Sequence, residues 1–187
     1  MVSLRTLITS TVAFLVAPSL AALTAIQITT NIKTITAKSQ ALQPTAQSIT
    51  VLNAPLIVIG SGPFPVLITG FNDIVSTANN AIAAMAGTPA ITSEADAAMI
   101  ADAFREFVRV HQALLNILIG KAGVVAKIPV VGAPVATALR AVEGVVDTIA
   151  FGLIDLVEAT TAAPEIDEDH EALIGTLEIA IQAYSTL

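Results

Sequence analysis

From Ser39 to Asn72 the chain carries no charged residue, yet Pro44, Pro55, Gly60, Gly62, Pro63 and Pro65 interrupt the run. A membrane-crossing helix needs about 20 consecutive apolar residues in helical conformation. This stretch cannot supply one, so no transmembrane span is expected. The same tension runs through the whole chain. Mean hydropathy is +0.81, with 55% hydrophobic and 12% charged residues. That charged share is about half that of an ordinary soluble domain. So much apolar surface must face a core, a hydrophobic ligand, or a hydrophobic surface outside the cell.

The first 21 residues read as a separate piece. Arg5 supplies a positive start, Leu7 to Val16 an apolar segment, Pro18 a break, and Ser19-Leu20-Ala21 the small residues of a cleavage site. Residues 1–21 are therefore expected to be a secretory signal peptide. Residues 22–187 are expected to form one helical domain that binds a hydrophobic ligand or surface. The expected product is secreted and extracellular, with cell-wall association left open. The chain has no cysteine. This excludes a disulfide scaffold, thiolate zinc sites and thiol nucleophiles, and it is compatible with export for a chain long enough to bury a core.

Net charge is −7, with no cluster of lysines or arginines. Nucleic acid and anionic lipid are poor partners for such a chain. Helical spacing dominates what remains. Ala25, Ile28, Ile32, Ile35 and Leu42 mark a first helix, expected from about Leu23 to Ala41 and ending before Pro44. Pro44 to Pro65 reads as an irregular apolar connection with a short helical piece. Pro65 suits the first turn of a second helix carrying Leu67, Phe71, Ile74, Ala78, Ile82 and Met85. Ser93 followed by Asp96 caps a third, whose stripe is Ile100, Phe104, Phe107, His111, Leu114 and Leu118. The stretch holding Gly120, Gly123 and Pro129 reads as a connection. A fourth helix, from about Pro134 to Ala159 and ended by Pro164 and the acidic run after it, repeats Val135, Leu139, Val142, Val146, Ile149, Leu153 and Leu156 in alternating steps of four and three. A fifth begins near Asp167 or Asp169, with Leu173, Ile174, Leu177, Ile181 and Tyr184 on its apolar face. The expected fold is all-α, a single bundle of about five amphipathic helices.

Catalytic and metal-binding readings are weak. Asp167, Glu168, Asp169, His170 and Glu171 point in successive directions around a helix start, so they read as a solvated, dipole-matched N-terminus and not as one metal site. Glu94, Asp96 and Asp102 read as an exposed charge ladder with Arg105, Glu106 and Arg109. No nucleophile–base–orienter set can be named, so no enzyme activity, cofactor or metal is expected. His111 lies on the apolar stripe of the third helix. It reads either as a core-edge histidine satisfied by backbone or water, or as a polar group that meets a ligand.

The stretches Thr92–Leu115 (TSEADAAMIADAFREFVRVHQALL), Leu118–Val135 (LIGKAGVVAKIPVVGAPV), Leu139–Leu156 (LRAVEGVVDTIAFGLIDL) and the C-terminal LIGTLEIAIQAYSTL, in that order on an exported, cysteine-free, alanine-rich chain, resemble the fungal hydrophobic surface-binding protein A and cell-wall galactomannoprotein family. The resemblance spans essentially residues 22–187. It implies an all-α bundle whose interior holds fatty acids or similar lipids, adsorption to hydrophobic surfaces, and in some members recruitment of a secreted hydrolase. It implies no chemistry. Unlike the galactomannoproteins, this chain has no Ser/Thr-rich tail.

Helices two, three and four also carry many small residues, among them Ala78, Ala81, Ala103, Ala138, Gly144 and Ala150. Large beside small residues can mean close helix packing or a cavity for a lipid tail. The residues leave both open, and the resemblance implies the cavity. Phe71, Ile74, Phe104, Phe107, His111, Val146 and Ile149 lie on the stripes that should converge on it, with His111 as the polar group for a head. The expected function is non-enzymatic binding of fatty acids or similar lipids between helices. The alternatives are a surface-active protein that adsorbs to hydrophobic material and recruits a hydrolase, and a structural wall protein.

Overall fold

In the computed structural model, which describes residues 22–126, 128 and 130–187, Thr24 opens the first helix. Its hydroxyl accepts from the Gln27 amide, and the Gln27 side chain accepts from the Thr24 amide, so two otherwise orphaned donors are satisfied. Helix α1 (Ala25–Gln47) buries the stripe read from the sequence. It does not stop before Pro44. A proline inside a helix loses the bond to the carbonyl four residues back. Here the stripe continues past it: Ala46 and Ile49 are buried, and the Ser48 amide donates to the Pro44 carbonyl.

The connection that follows contains a 3-10 turn, Ala54–Ile59, fastened by the Asn53 side chain, which donates to the Ser48 carbonyl and accepts from the Thr50 amide. Helix α2 (Pro63–Met85) starts two residues before Pro65, with Phe64 fully buried in its first turn. Helix α3 (Glu94–Val125) is capped by Ser93, whose hydroxyl accepts from the Asp96 amide. It runs through Gly120 and Gly123, expected in a connection. A helical glycine costs only about 1 kcal/mol, and burial of Leu118, Ala122 and Val125 on one face outweighs that. Helix α4 (Gly132–Leu156) buries every residue of its predicted stripe, while Phe151 lies off it and is 54% exposed. Helix α5 (Ala162–Ser185) starts earlier than Asp167. Pro164 opens it instead of closing its predecessor, because a first-turn amide has no helical acceptor to lose.

Broad packing contacts join α1 to α3, α3 to α5, α5 to α4, α4 to α2, and α2 back to α1. The five helices thus close into a ring, with α1, α3 and α5 running one way and α2 and α4 the other. Polar contacts fix the register: Lys38 pairs with Asp73, the Gln43 amide donates to the Val110 carbonyl, Gln112 donates to Ala172 and Thr176, and the buried Tyr184 hydroxyl donates to the Leu118 carbonyl. The architecture is all-α, with no strand among the described residues. No described helix is long and apolar enough to cross a membrane. The signal-peptide reading concerns residues that lie outside those described.

At Gly132 two helices approach closely, backbone against backbone. A Cβ on Gly132 would run into the Tyr184 carbonyl and lie 2.9 Å from Leu187 Cβ, whereas a Cβ on Gly144 meets nothing. Gly132→Ala is expected to lower stability by about 1–3 kcal/mol. Gly144→Ala, in an open helix interior, should raise it by roughly 0.5–1 kcal/mol. Chemical denaturation of the two variants checks both signs.

Candidate functional site

Because α2 and α3 are not neighbours in the ring, their inward side chains meet across the interior. The Phe71 ring on α2 stands edge-on to His111 on α3, with ring centres 6.3 Å apart. Phe107 lies 5.4 Å from His111, one turn away on the same helix, and 5.9 Å from Phe104. Ile74 on α2 is buried with them, and Val146 and Ile149 are buried on α4, which packs against α2. All seven residues read from the sequence as candidate pocket lining are therefore interior. The structure brings Phe71, Phe104, Phe107 and His111 into one aromatic cluster. Surface cavities lie elsewhere, for example a space of about 360 Å³ between the C-terminal parts of α2 and α4, lined by Ile82, Met85, Thr148, Gly152 and Leu156.

His111 is the chemical singularity of that interior. It is fully buried, and its Nδ1 lies 2.8 Å from the Ser39 hydroxyl of α1. Ser39 also contacts the Ile35 carbonyl at 3.3 Å. The hydroxyl can accept from Nδ1 while donating to Ile35, or donate to Nδ1, so the two tautomers are both accommodated. Neither leaves a partner for Nε2, which is buried and unbonded. An unmet buried ring nitrogen costs about 1–3 kcal/mol. One ring nitrogen of His111 is thus held by a side chain, and the other has no protein partner. Ser39 sits in register within the seven-residue step from Ile35 to Leu42. Its polarity hides it in a search for apolar stripes.

Burial alone lowers the His111 pKa to about 4, since the interior disfavours the charged imidazolium. The side chains around it (Ser39, Phe71 and Phe107) hold no charge. Above about pH 6.5 the ring is neutral folded and unfolded, so it adds no pH dependence. Between about pH 6.5 and 4 the unfolded chain takes up a proton that the folded chain refuses, and stability falls by about 3 kcal/mol. His111→Leu should lose that acid-side component. Urea denaturation of both proteins at pH 7 and near pH 4, compared as a difference, measures it.

Two clusters outside the interior are structural. His170 is not part of a solvated N-terminus: it lies two turns into α5, is buried, and its Nε2 is 2.8 Å from an Asp147 oxygen of α4, with the edge of Phe151 against the ring. Asp167, Glu168 and Glu171 do point to solvent. Arg105 pairs with Asp102 on its own helix and with Glu165 and Asp169 of α5, at 3.3, 2.6 and 3.2 Å. Such half-exposed pairs contribute about 0–1 kcal/mol each. No group of three or more acidic or histidine side chains among the described residues is arranged to hold a metal ion.

The class that this geometry defines is a five-helix ring with a largely apolar, aromatic-lined interior and a buried histidine whose Nε2 has no protein partner. No protein-family model and no curated protein sequence matches the chain. Solved structures do share the fold. AfMP4p in complex with palmitic acid superposes with a TM-score of 0.74 at 19% identity, over 86% of this chain and 99% of that one. Ligand-binding domain 1 of the Penicillium marneffei MP1 protein, complexed with arachidonic acids, gives 0.73 at 15% identity, over 86% and 98%.

Proposed function

We propose that the chain is a secreted, non-enzymatic lipid-binding protein that holds a fatty acid or a similar single-tailed lipid among the inward side chains of α2, α3 and α4. The observation that carries this reading is His111 Nε2, a buried hydrogen-bonding atom without a protein partner, set beside the Phe71 and Phe107 rings. A ligand head placed there bonds Nε2, as a donor if the nitrogen presents its lone pair and as an acceptor if it presents its N–H. A protonated acid suits the first arrangement. Its tail then lies against Phe71, Ile74, Phe104, Phe107, Val146 and Ile149.

Those side chains fill the interior in the unliganded bundle, so the tail takes its space by moving them apart. The α2–α4 seam supports this, since an apolar-lined space already stands at one end of it. Fold likeness to proteins whose structures hold palmitic and arachidonic acids supports the ligand class. The fungal hydrophobic surface-binding protein A and galactomannoprotein resemblance agrees with it.

Native mass spectrometry of protein purified without detergent tests the reading. The expected result is a bound species displaced from the apoprotein by the mass of a long-chain acid. Ligand-free protein that also fails to take up added palmitate would reject it. The same spectrum checks export: protein recovered from culture medium is expected to begin at Ala22, and an intact Met1 would contradict the signal peptide.

A further inference from the structure

One end of the ring differs from the rest of the surface. It is the end where α1, α3 and α5 finish and α2 and α4 begin, as the Lys121 ammonium bonding the Ile49 carbonyl and Gly132 seated under the Tyr184 carbonyl show. Among the described residues, seven of the eleven exposed large apolar side chains lie there. Val51, Leu52, Leu56, Val58 and Ile59 come from the turn between α1 and α2, Val66 from the start of α2, and Val130 from the α3–α4 connection. Leu52 is 90% exposed and Ile59 74%. These are not loose side chains on a collapsing loop. Ile49 and Ala54 anchor the segment in the core, Asn53 bonds across it, and Gly60 and Gly62 turn the chain back at φ 72° and 85°.

Charge is arranged around this end in a way that selects its partner. The nearest acid on α5 is Glu178, seven residues before the helix finishes and about 10 Å away by helix rise. Asp73 on α2 and Glu143 on α4 lie about 15 Å in, and Glu106 on α3 lies farther. The closest described charged side chain, Lys121, is a cation. The acids that give the chain its net −7 therefore sit back from an apolar tip.

The exposed large apolar side chains of the tip are all aliphatic. Protein-binding hot spots favour Trp, Tyr and Arg, which this surface lacks. Branched aliphatic side chains without directional partners suit a fluid apolar phase, and the set-back acids let the tip reach it without desolvating an acidic side chain. We infer that the 51–66 segment, with Val130, docks end-on into an uncharged lipid surface. Lys121 falls near the depth where headgroups lie and can keep its ammonium group in water. The inference rests on the lipid reading only in that such a phase is where the ligand would be collected. Docking itself needs no ligand.

The chain has no tryptophan, so Leu52→Trp and Ile26→Trp each place a single reporter, at the tip and at the opposite end. With vesicles of phosphatidylcholine, the Leu52→Trp emission should shift to the blue and the Ile26→Trp emission should not. In vesicle sedimentation, a Leu52→Asp/Val58→Asp/Ile59→Asp variant should partition about 100-fold more weakly or worse, from three large aliphatic side chains withheld from the lipid. Ile26→Asp should bind as the parent does, and an anionic admixture should not strengthen binding. Circular dichroism confirms that the variants are folded. A Leu52→Trp emission unmoved by vesicles, equal loss in Ile26→Asp, or a parent dimer that the triple variant converts to monomer would each overturn the inference, the last by assigning the tip to a second copy. Fatty-acid titration without vesicles is a separate readout, so failure of docking and failure of internal binding are distinguishable.

Discussion

Truncating Phe104 to alanine is expected to lower the free energy of unfolding by about 3–5 kcal/mol, a large share of the roughly 5–15 kcal/mol that holds a domain of this kind together. Phe104 is fully buried and stacks beside Phe107 on the face of α3 that looks across the ring. Its removal leaves a hole lined by residues from helices that are already bound to two neighbours each, so collapse is limited. Phe151 supplies the contrast. It has the same chemistry but is half exposed and rests against His170, so Phe151→Ala should lose about 1 kcal/mol or less. Urea denaturation measures both. Equal losses would mean that the interior of the ring is not where the packing energy resides.

The second large effect concerns the ligand. Phe107→Glu is expected to abolish saturable fatty-acid binding, because an uncompensated carboxylate beside His111 must either draw water into the tail volume or occupy Nε2 itself. Phe107→Leu keeps the site apolar and should bind within about tenfold of the parent, the scale of 1.4 kcal/mol. Far-UV circular dichroism establishes that each variant is helical before binding is compared. Loss in both variants would indicate a packing defect, and binding retained by Phe107→Glu would place the tail elsewhere. His111→Leu separates head from tail: acids should weaken more than alcohols of the same length, since the variant keeps the volume and removes only the polar contact.

Much of this architecture is legible in the sequence for a simple reason. On α2, α3 and α4 the apolar residues recur at helical spacing with few interruptions, so periodicity alone identifies both the helices and their inward faces. The elements it misplaces are those where proline or glycine outvotes a weaker apolar signal. Pro44 reads as a stop although Ala46 and Ile49 carry the stripe past it. Gly120 and Gly123 read as a connection although Leu118, Ala122 and Val125 bury one face. Pro164 reads as an end although it is a beginning.

The site is legible in its apolar part and not in its polar part. Phe71, Phe104, Phe107 and His111 can each be assigned to an inward stripe. That Phe71 and His111 meet depends on the ring order, in which α2 and α3 face each other without being neighbours, and sequence order does not carry that. The Ser39–His111 contact joins residues 72 positions apart, and only the fold reveals it. His170 is misread for the converse reason. Its acidic surroundings in sequence suggest solvent, while its actual partner, Asp147, comes from another helix.

The most direct test of the account is titration of a long-chain fatty acid into delipidated protein. Each methylene moved from water into the interior contributes roughly 0.8 kcal/mol, so about twelve of them supply on the order of 10 kcal/mol before ordering and core rearrangement are subtracted. The account predicts saturable binding near one equivalent, with a dissociation constant of tens of micromolar or tighter, roughly 6 kcal/mol or more. No saturable binding in that range, from protein shown to be helical, would contradict it and leave the exposed apolar end as the feature of this chain that meets lipid.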